Sequence, residues 1–441
     1  MPRLFPLTSK EKVIITARTL PSLLEGGVPP FGEELPQLAA FYVKKGILSA
    51  IRLIPAEMAN HLSQPGWRSV SLPVRQLLVP SFVDCHLHLA LDGVEGFRSL
   101  SAPCSSPQLL TRLRSLAAAG VLAVRDGGDR FSSAFAAQEL SSEKKGGIGP
   151  LPKIMATGIA LFRHGHYGVM LGGKGLDGMD QLENEITRRK EAGAQQLKVI
   201  LSGLVSLTDP GKVGPLQFSL SELQEIVSLA GAYDLPVMAH ASSDAAVRLA
   251  VKAGVHSVEH GYFVAVETLK EMAGTGVSWV PTLAPLAALA GRGMLTDRET
   301  HAVTKDRAVT KQATTAEPSL DSLSTPEAVL NFIVARHLRM IARAHELGVT
   351  MGVGTDGGAP GVTWSGGYWM ELALLARAQF SPQELLNLAT VNGAKLLGLE
   401  RERGHIAVGK PPNWLCLDMD FLKGQLERKT LKGIIYIADT C

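Results

Sequence analysis

The feature that most limits how this chain can fold is a pattern that recurs eight times between residues 78 and 356. Each repeat is a short apolar run that ends in a polar residue or glycine, and stretches rich in alanine, leucine and glutamate lie between the runs. Strands that alternate with helices run parallel, so eight such units predict an α/β fold, the (β/α)8 TIM barrel. The predicted strands are residues 78–88, 121–126, 153–161, 197–201, 236–240, 257–260, 277–281 and 350–356.

The two ends of the chain differ from this middle because they are rich in short β-type segments. Residues 12–16 and 41–43 have strand composition, and Lys45-Gly46 has the composition of a hairpin turn. Residues 414–417 form an apolar run after a turn that contains two prolines. We therefore predict one small β-sandwich domain built from residues 1–78 and 404–441, with residues 79–403 forming the barrel.

A polar stretch interrupts the repeat after predicted strand seven. Residues 291–324 are rich in threonine, lysine, aspartate and arginine. Two interpretations remain open, a lid over the strand ends or a surface insertion without a role in the site.

The composition favours an enzyme over a nucleic-acid-binding or membrane protein. Hydrophobic residues make up 46% of the 441 residues and charged residues 19%, the net charge is +3, and the basic clusters are isolated. No apolar run reaches the roughly 20 residues that span a bilayer, and the first residues lack the apolar core of a signal peptide. The four cysteines have no close spacing. We expect a cytoplasmic enzyme with a small-molecule substrate and no nucleic-acid or membrane partner, and homo-oligomerisation stays open.

Metal-ligating residue types stand at the ends of the predicted strands, where barrels of this kind carry their active sites. Two histidines that are two residues apart on a strand point to the same side. Neutral imidazoles and a carboxylate suit Zn²⁺ or a similar divalent ion. The candidate metal ligands are His86, His88, Lys198, His240, His260 and Asp356.

Three segments of the chain resemble the amidohydrolase superfamily. Residues 79–88, VPSFVDCHLH, are similar to the family's Pro-Gly-hydrophobic-Ile-Asp-x-His-x-His motif, Thr355-Asp356 matches its strand eight, and residues 404–410 match its closing segment. Within the superfamily the chain is most similar to the prolidase-like and imidazolonepropionase-related subgroup, on residues 197–203 and 280–283. The resemblance implies a binuclear metal hydrolase that cleaves an amide bond in a dipeptide, an N-acyl amino acid or a related compound.

The resemblance also implies roles for individual residues. Lys198 would carry a carbamate derived from CO2 and bridge two divalent metal ions, with zinc preferred. Asp356 would shuttle the proton of a metal-bridging hydroxide. His166 matches a histidine that reaches the substrate in the subgroup, so it is a second catalytic candidate. Arg163 and Tyr262 are candidates for substrate binding, Arg163 through a carboxylate.

Two other classes of function compete with amide hydrolysis. The first is a mononuclear enzyme of the same fold, either a deaminase or an imidazolonepropionase-like ring opener. Deaminases of the superfamily usually carry glutamate three residues after the strand-five histidine, where this chain has Ser243, and Lys198 argues against both mononuclear types. The second is a non-enzymatic scaffold, which is disfavoured because all six candidate ligands are present.

Overall fold

The structure is a computed structural model. It describes residues 1–25, 35–58, 62–95, 101–142, 149–206, 209, 211–292 and 325–438. Most of the polar stretch that we interpreted as a lid or an insertion, residues 293–324, lies outside the described residues.

Fifteen strands are found in the described residues. In chain order they are β1 Arg3–Leu7, β2 Lys12–Thr19, β3 Gln37–Lys44, β4 Ile47–Leu53, β5 Arg68–Ser71, β6 Gln76–Pro80, β7 Phe82–Leu87, β8 Val121–Asp126, β9 Lys153–Met155, β10 Leu197–Ile200, β11 Val237–Ala241, β12 Ser257–His260, β13 Ser278–Val280, β14 Asn413–Asp418 and β15 Leu431–Ile437.

The helices lie mainly between the strands of the middle segment. They are α1 Ser106–Ala118, α2 Ser133–Ser142, α3 Val169–Gly172, α4 Leu182–Glu191, α5 Leu220–Ala232, α6 Asp244–Ala253, α7 Val266–Ala273, α8 Ala284–Ala287, α9 Pro326–Glu346, α10 Gly366–Arg377, α11 Pro382–Asn387 and α12 Gly393–Leu396. In the part of the chain that the structure describes, no helix is both long and apolar enough to cross a membrane.

Strands from both ends of the chain share one mixed sheet, in the order β1-β15-β14-β6-β2-β3-β4, with β5 paired to β2. Strand β1 runs parallel to β15, and β14 runs antiparallel to β6. The Lys45-Gly46 hairpin is confirmed: both residues have positive φ, as a two-residue turn between twisted antiparallel strands requires. Phe41 packs on Trp414 with ring centroids 5.6 Å apart, so the N-terminal and C-terminal strands share an apolar core.

The middle segment contains two parallel sheets, β7-β8-β9 and β10-β11-β12-β13. Isolated parallel bridges extend them: Leu161 pairs with Val199, Trp279 with Met351, and Leu87 with Gly357. Two predicted strands are therefore shorter than expected. Residues 153–161 contain only β9 and the bridge at Leu161, with Gly158 at φ +68° between them, and residues 350–356 form bridges rather than a continuous strand.

Alternation along the parallel strands separates core residues from site residues. In β10, Leu197 and Val199 belong to the apolar cluster that includes helix residues such as Leu223, whereas Lys198 points to the opposite face. In β11 the same period of two places Ala239 in the cluster and His240 on the other face. The packing of the helices thus fixes which side chains face the site.

Candidate metal centre

The structure brings all six predicted ligands to one end of the parallel strands. His86 lies in β7, Lys198 in β10, His240 in β11 and His260 at the end of β12. The other two, His88 and Asp356, follow directly on strand ends. The backbone N–H of Asp356 donates to the carbonyl of His86 over 2.7 Å, and this bond fixes the segment after residue 350 against β7.

Three of these side chains form a compact group. The ligand atoms of His86, His88 and Asp356 all lie within 4.8 Å of one another. Asp356 Oδ1 is 3.4 Å from His88 Nε2 and 3.8 Å from His86 Nε2. The Asp356 side chain keeps 17% of its surface exposed, whereas the His86 side chain is fully buried. One metal ion fits between two imidazoles and a carboxylate in this arrangement.

The two other histidines lie beside this group. The ring centroids of His86 and His260 are 5.0 Å apart, and those of His240 and His260 are 4.6 Å apart. Burial, followed by the positive charge of Lys198, lowers the pKa of His88 and of His240 to about 3. Burial likewise lowers the pKa of His86 and of His260 well below the usual value. The rings are therefore neutral, which is the form that binds a metal.

The outer ring nitrogens are held by the protein, and the inner ones are left for a ligand. His86 Nδ1 donates to Glu259 Oε2 over 2.6 Å, and His88 Nδ1 donates to the carbonyl of Gly128 over 2.7 Å. His86 Nε2 and His240 Nε2 are buried and have no hydrogen-bond partner among the described residues. A buried polar atom without a partner costs about 1–3 kcal/mol. A metal ion would satisfy these nitrogens, so the residues fit a metal centre.

The amine of Lys198 and the carboxyl group of Asp356 are ionisable groups of opposite charge at this centre. Burial lowers the pKa of the Lys198 amine to about 8, against the charges of Glu259 and Asp356, which favour its protonated form. Burial raises the pKa of Asp356 to about 6, and the positive charge of Lys198 opposes that rise. At neutral pH a larger share of the Lys198 amine is neutral than in water, and only a neutral amine reacts as a nucleophile.

Glu259 is a residue beside the candidate ligands that the sequence did not indicate. Its carboxylate is fully buried and, besides the bond from His86, accepts hydrogen bonds from Arg125 over 2.7 Å and from Ser257 over 2.6 Å. Arg125 also donates to the carbonyl of Cys85 over 2.6 Å. The ion pair compensates the buried charge and orients His86. The signal for Glu259 was a charged residue inside a strand with buried apolar neighbours.

Three residues of the centre have backbone conformations that are rare outside glycine. His260 has φ +71°, and Thr282 and Asp356 each have φ +52°. Thr282 Oγ1 lies 2.8 Å from His260 Nδ1, and the buried carboxylate of Glu371 accepts the backbone N–H groups of residues 283 and 284. Such conformations cost free energy and persist where the surroundings hold them, most often at functional sites.

The three predicted substrate contacts have different surroundings. The backbone N–H of His166, which is half-buried, donates to the carbonyl of Arg163 over 3.1 Å. The Arg163 guanidinium already pairs with a carboxylate of the protein, that of Glu222. Tyr262 is buried, and its hydroxyl lies 3.4 Å from His260 Nδ1. The residue after His166, Tyr167, lies beside one of the candidate ligands, with its ring centroid 5.6 Å from that of His240.

Comparisons with known proteins agree with this geometry. The sequence model of the Amidohydrolase family matches residues 77–436. Ochratoxinase of Aspergillus niger is 27% identical over 355 residues, which are 73% of this chain and 66% of that protein, slightly less than two thirds of its length.

Two solved structures share the fold over nearly the whole chain. A Xaa-Pro dipeptidase with bound methionine has a TM-score of 0.73 at 19% identity and covers 97% of this chain and 98% of its own. The structure of A. niger ochratoxinase has a TM-score of 0.70 at 20% identity and covers 96% and 93%. At this identity the likeness concerns the fold, and it implies a TIM barrel. The family match over most of the length shows that the chain belongs to the amidohydrolase family, a family of hydrolases.

Proposed function

We propose that this protein is a binuclear metal-dependent amidohydrolase that cleaves the C–N bond of an amide in a small substrate, an N-acyl amino acid or a dipeptide. The observation that carries the proposal is the set of four neutral imidazoles, one carboxylate and one buried lysine at a single end of the parallel strands. The structural relative named as a Xaa-Pro dipeptidase supports a dipeptide-like substrate.

The metal-binding roles follow from the positions of the side chains. His86, His88 and Asp356 would hold one divalent ion, and His240 and His260 the other. Lys198, as its carbamate, would offer an oxygen to each. Zinc suits this set of nitrogen and oxygen ligands best. When bound, the metal pair would lower the pKa of a water to about 7 and polarise the amide carbonyl.

The residues of the chain would handle the proton and the substrate. Asp356 takes the proton from the attacking water and later passes it to the nitrogen of the leaving amine, so one carboxylate serves as base and then as acid. Its partial exposure leaves this carboxylate open to the substrate side. His166 would contact the substrate, whereas Arg163 and Tyr262 would have to leave their present partners, Glu222 and Thr282, to do so.

The architecture around this site is also part of the proposal. The isolated bridges at Leu161, Met351 and Gly357 support one closed barrel formed from the two parallel sheets. The shared core of Phe41 and Trp414 supports a β-sandwich arrangement of the terminal sheet. We place the domain borders at residues 78 and 404, so that the small domain contains both ends of the chain.

The competing deaminase function meets an obstacle in the structure. Ser243 occupies the position where a deaminase would place its glutamate, and its hydroxyl accepts the backbone N–H of Ala246 over 3.2 Å at the start of helix α6. The residue thus has a structural role as a helix cap, and this position supplies no glutamate for a deaminase.

A substrate panel tests the proposal. Zinc-loaded protein is incubated with dipeptides and N-acyl amino acids, scored for released amino acid, and with cytosine and aminopurines, scored for released ammonia. We expect amino acid release that a chelator abolishes and added zinc restores. Ammonia from a nucleobase, without cleavage of any acyl amino acid, would contradict the proposal.

A further inference from the structure

We infer that Tyr167 is a catalytic residue of this site, whose hydroxyl donates a hydrogen bond to the substrate carbonyl oxygen as that oxygen gains negative charge. The inference rests on the proposed amide hydrolysis. It concerns a residue that the motifs of the sequence do not indicate.

Tyr167 lies against one of the candidate metal ligands. The ring centroids of Tyr167 and His240 are 5.6 Å apart, and the ring planes are tilted by 47°. The Tyr167 ring also packs against the apolar group that includes Phe162, Leu171 and Ile200. The ring is therefore held between Ile200 of β10 and His240 of β11.

The segment that carries Tyr167 is tied down at several points. The Gln217 side chain donates to the Tyr167 carbonyl over 2.7 Å and accepts the backbone N–H of Arg163 over 2.9 Å. The backbone of Gln217 in turn donates to Leu201 at the end of β10 over 3.0 Å. Gly168 has φ +144°, and a Cβ added to it would lie only 2.4 Å from Phe162 Cγ. Only glycine therefore fits at this position. A donor on so fixed a segment is preorganised.

The hydroxyl of Tyr167 is available as a donor. Within the described ranges it makes no hydrogen bond, whereas the hydroxyl of Tyr262 is engaged by Thr282. A tyrosine hydroxyl is protonated at neutral pH, because its ordinary pKa is about 10, and it can therefore donate. The ring that carries this hydroxyl borders His240, whose inner nitrogen Nε2 has no hydrogen-bond partner among the described residues.

The hydrogen bond acts at one step of the reaction. When the oxygen of water bonds to the amide carbon, the C–O π bond breaks and its electron pair moves to the carbonyl oxygen. Tyr167 keeps its proton and stabilises that charge through its O–H group. When the C–N bond breaks, the electron pair re-forms the carbonyl, and the amine nitrogen takes the proton held by Asp356. The contribution is made mainly in the transition state.

The variant Tyr167→Phe tests this role because it removes only the oxygen. We expect kcat to fall by about 10²-fold, the usual scale for a lost oxyanion donor, with little change in KM and no change in metal content. The matched control is Tyr233→Phe, which removes a hydroxyl that pairs with Thr187 at 2.9 Å between helices away from the site. We expect the control to keep the wild-type kcat.

A second measurement keeps this inference separate from the proposed function. Calorimetry compares binding of a tetrahedral phosphonate analogue of an N-acyl amino acid with binding of the free amino acid. We expect Tyr167→Phe to weaken the phosphonate by about the same factor as kcat/KM and to leave the amino acid unaffected. Wild-type protein that cleaves no amide would overturn the proposed function, and the phosphonate affinities would still decide on Tyr167. Unchanged phosphonate affinity in the variant would overturn the inference.

Discussion

Asp356 combines two tasks that one substitution separates. Its carboxylate lies beside His88, where it can bind a metal, and it is partly exposed, where it can move a proton. Asp356→Asn keeps a carbonyl oxygen for the metal but cannot carry the proton. We expect most of the metal to remain while kcat falls by about 10²-fold or more, measured by elemental analysis and steady-state kinetics on the same preparation. A loss of only a few-fold would assign the shuttle to another residue, with His166 next in line.

Glu259 offers a test of how a residue that does not bind the metal orients one that does, His86. Glu259→Gln replaces one carboxylate oxygen by an amide nitrogen, which accepts no hydrogen bond. The side chain then loses its bond from either His86 or Arg125. We expect metal affinity to fall by about 10–100-fold in competition with a chromogenic chelator. Ser257→Ala is the matched control, because it removes a bond to the same carboxylate and leaves the bond to His86. Equal affinities in both variants would show that Glu259 does not orient His86.

The residues of the site were predictable to different degrees for a physical reason. Five of the six candidate ligands stand at or near the ends of apolar runs, so local pattern placed them at one end of the strands, whereas the role of Lys198, the second residue of its run, came from the family resemblance. Glu259 could not be assigned, because its contact with His86 joins residues 173 positions apart. The loop residues were the least predictable. The motif after predicted strand three indicated His166, but the residue whose ring contacts His240 is its neighbour Tyr167.

The segment after residue 350 shows at the element scale how closely the strands approach. A Cβ added at Gly354 would lie 2.3 Å from Val280 Cγ1 and 3.0 Å from His86 Cβ. We expect Gly354→Ala to lower the free energy of unfolding by about 1–3 kcal/mol through overpacking, measured by denaturant titration. The control is Gly276→Ala, where an added Cβ meets nothing within 4 Å. A variant at residue 354 as stable as this control would contradict the close packing.

The elements themselves were predicted where their signals are local. The hairpin at Lys45-Gly46 was predicted from two adjacent residues, and both adopt the positive φ of such a turn. The length of a strand is less local. Residues 350–356 were predicted as a strand from their apolar pattern, but Gly352 and Gly354 leave only bridges to the neighbouring strands.

At the scale of the whole molecule, the two ends of the chain meet in one sheet. Strand β1 pairs with β15, and β14 pairs with β6, although more than 300 residues separate the members of each pair. The strand-rich composition of both ends predicted this meeting, but not the order of the strands, which depends on contacts distant in sequence. The family match from residue 77 to residue 436 includes the last two strands of this sheet.

The central claim is that one end of the molecule holds two metal ions, and metal content tests it most directly. Protein is produced with added Zn²⁺ and bicarbonate, freed of loosely bound ions, and examined by elemental analysis beside Lys198→Ala. We expect about two divalent ions per wild-type chain and fewer in the variant, with some metal and activity restored to the variant by a short carboxylic acid that replaces the bridge. Wild-type protein with less than one metal ion per chain under these conditions would contradict the account.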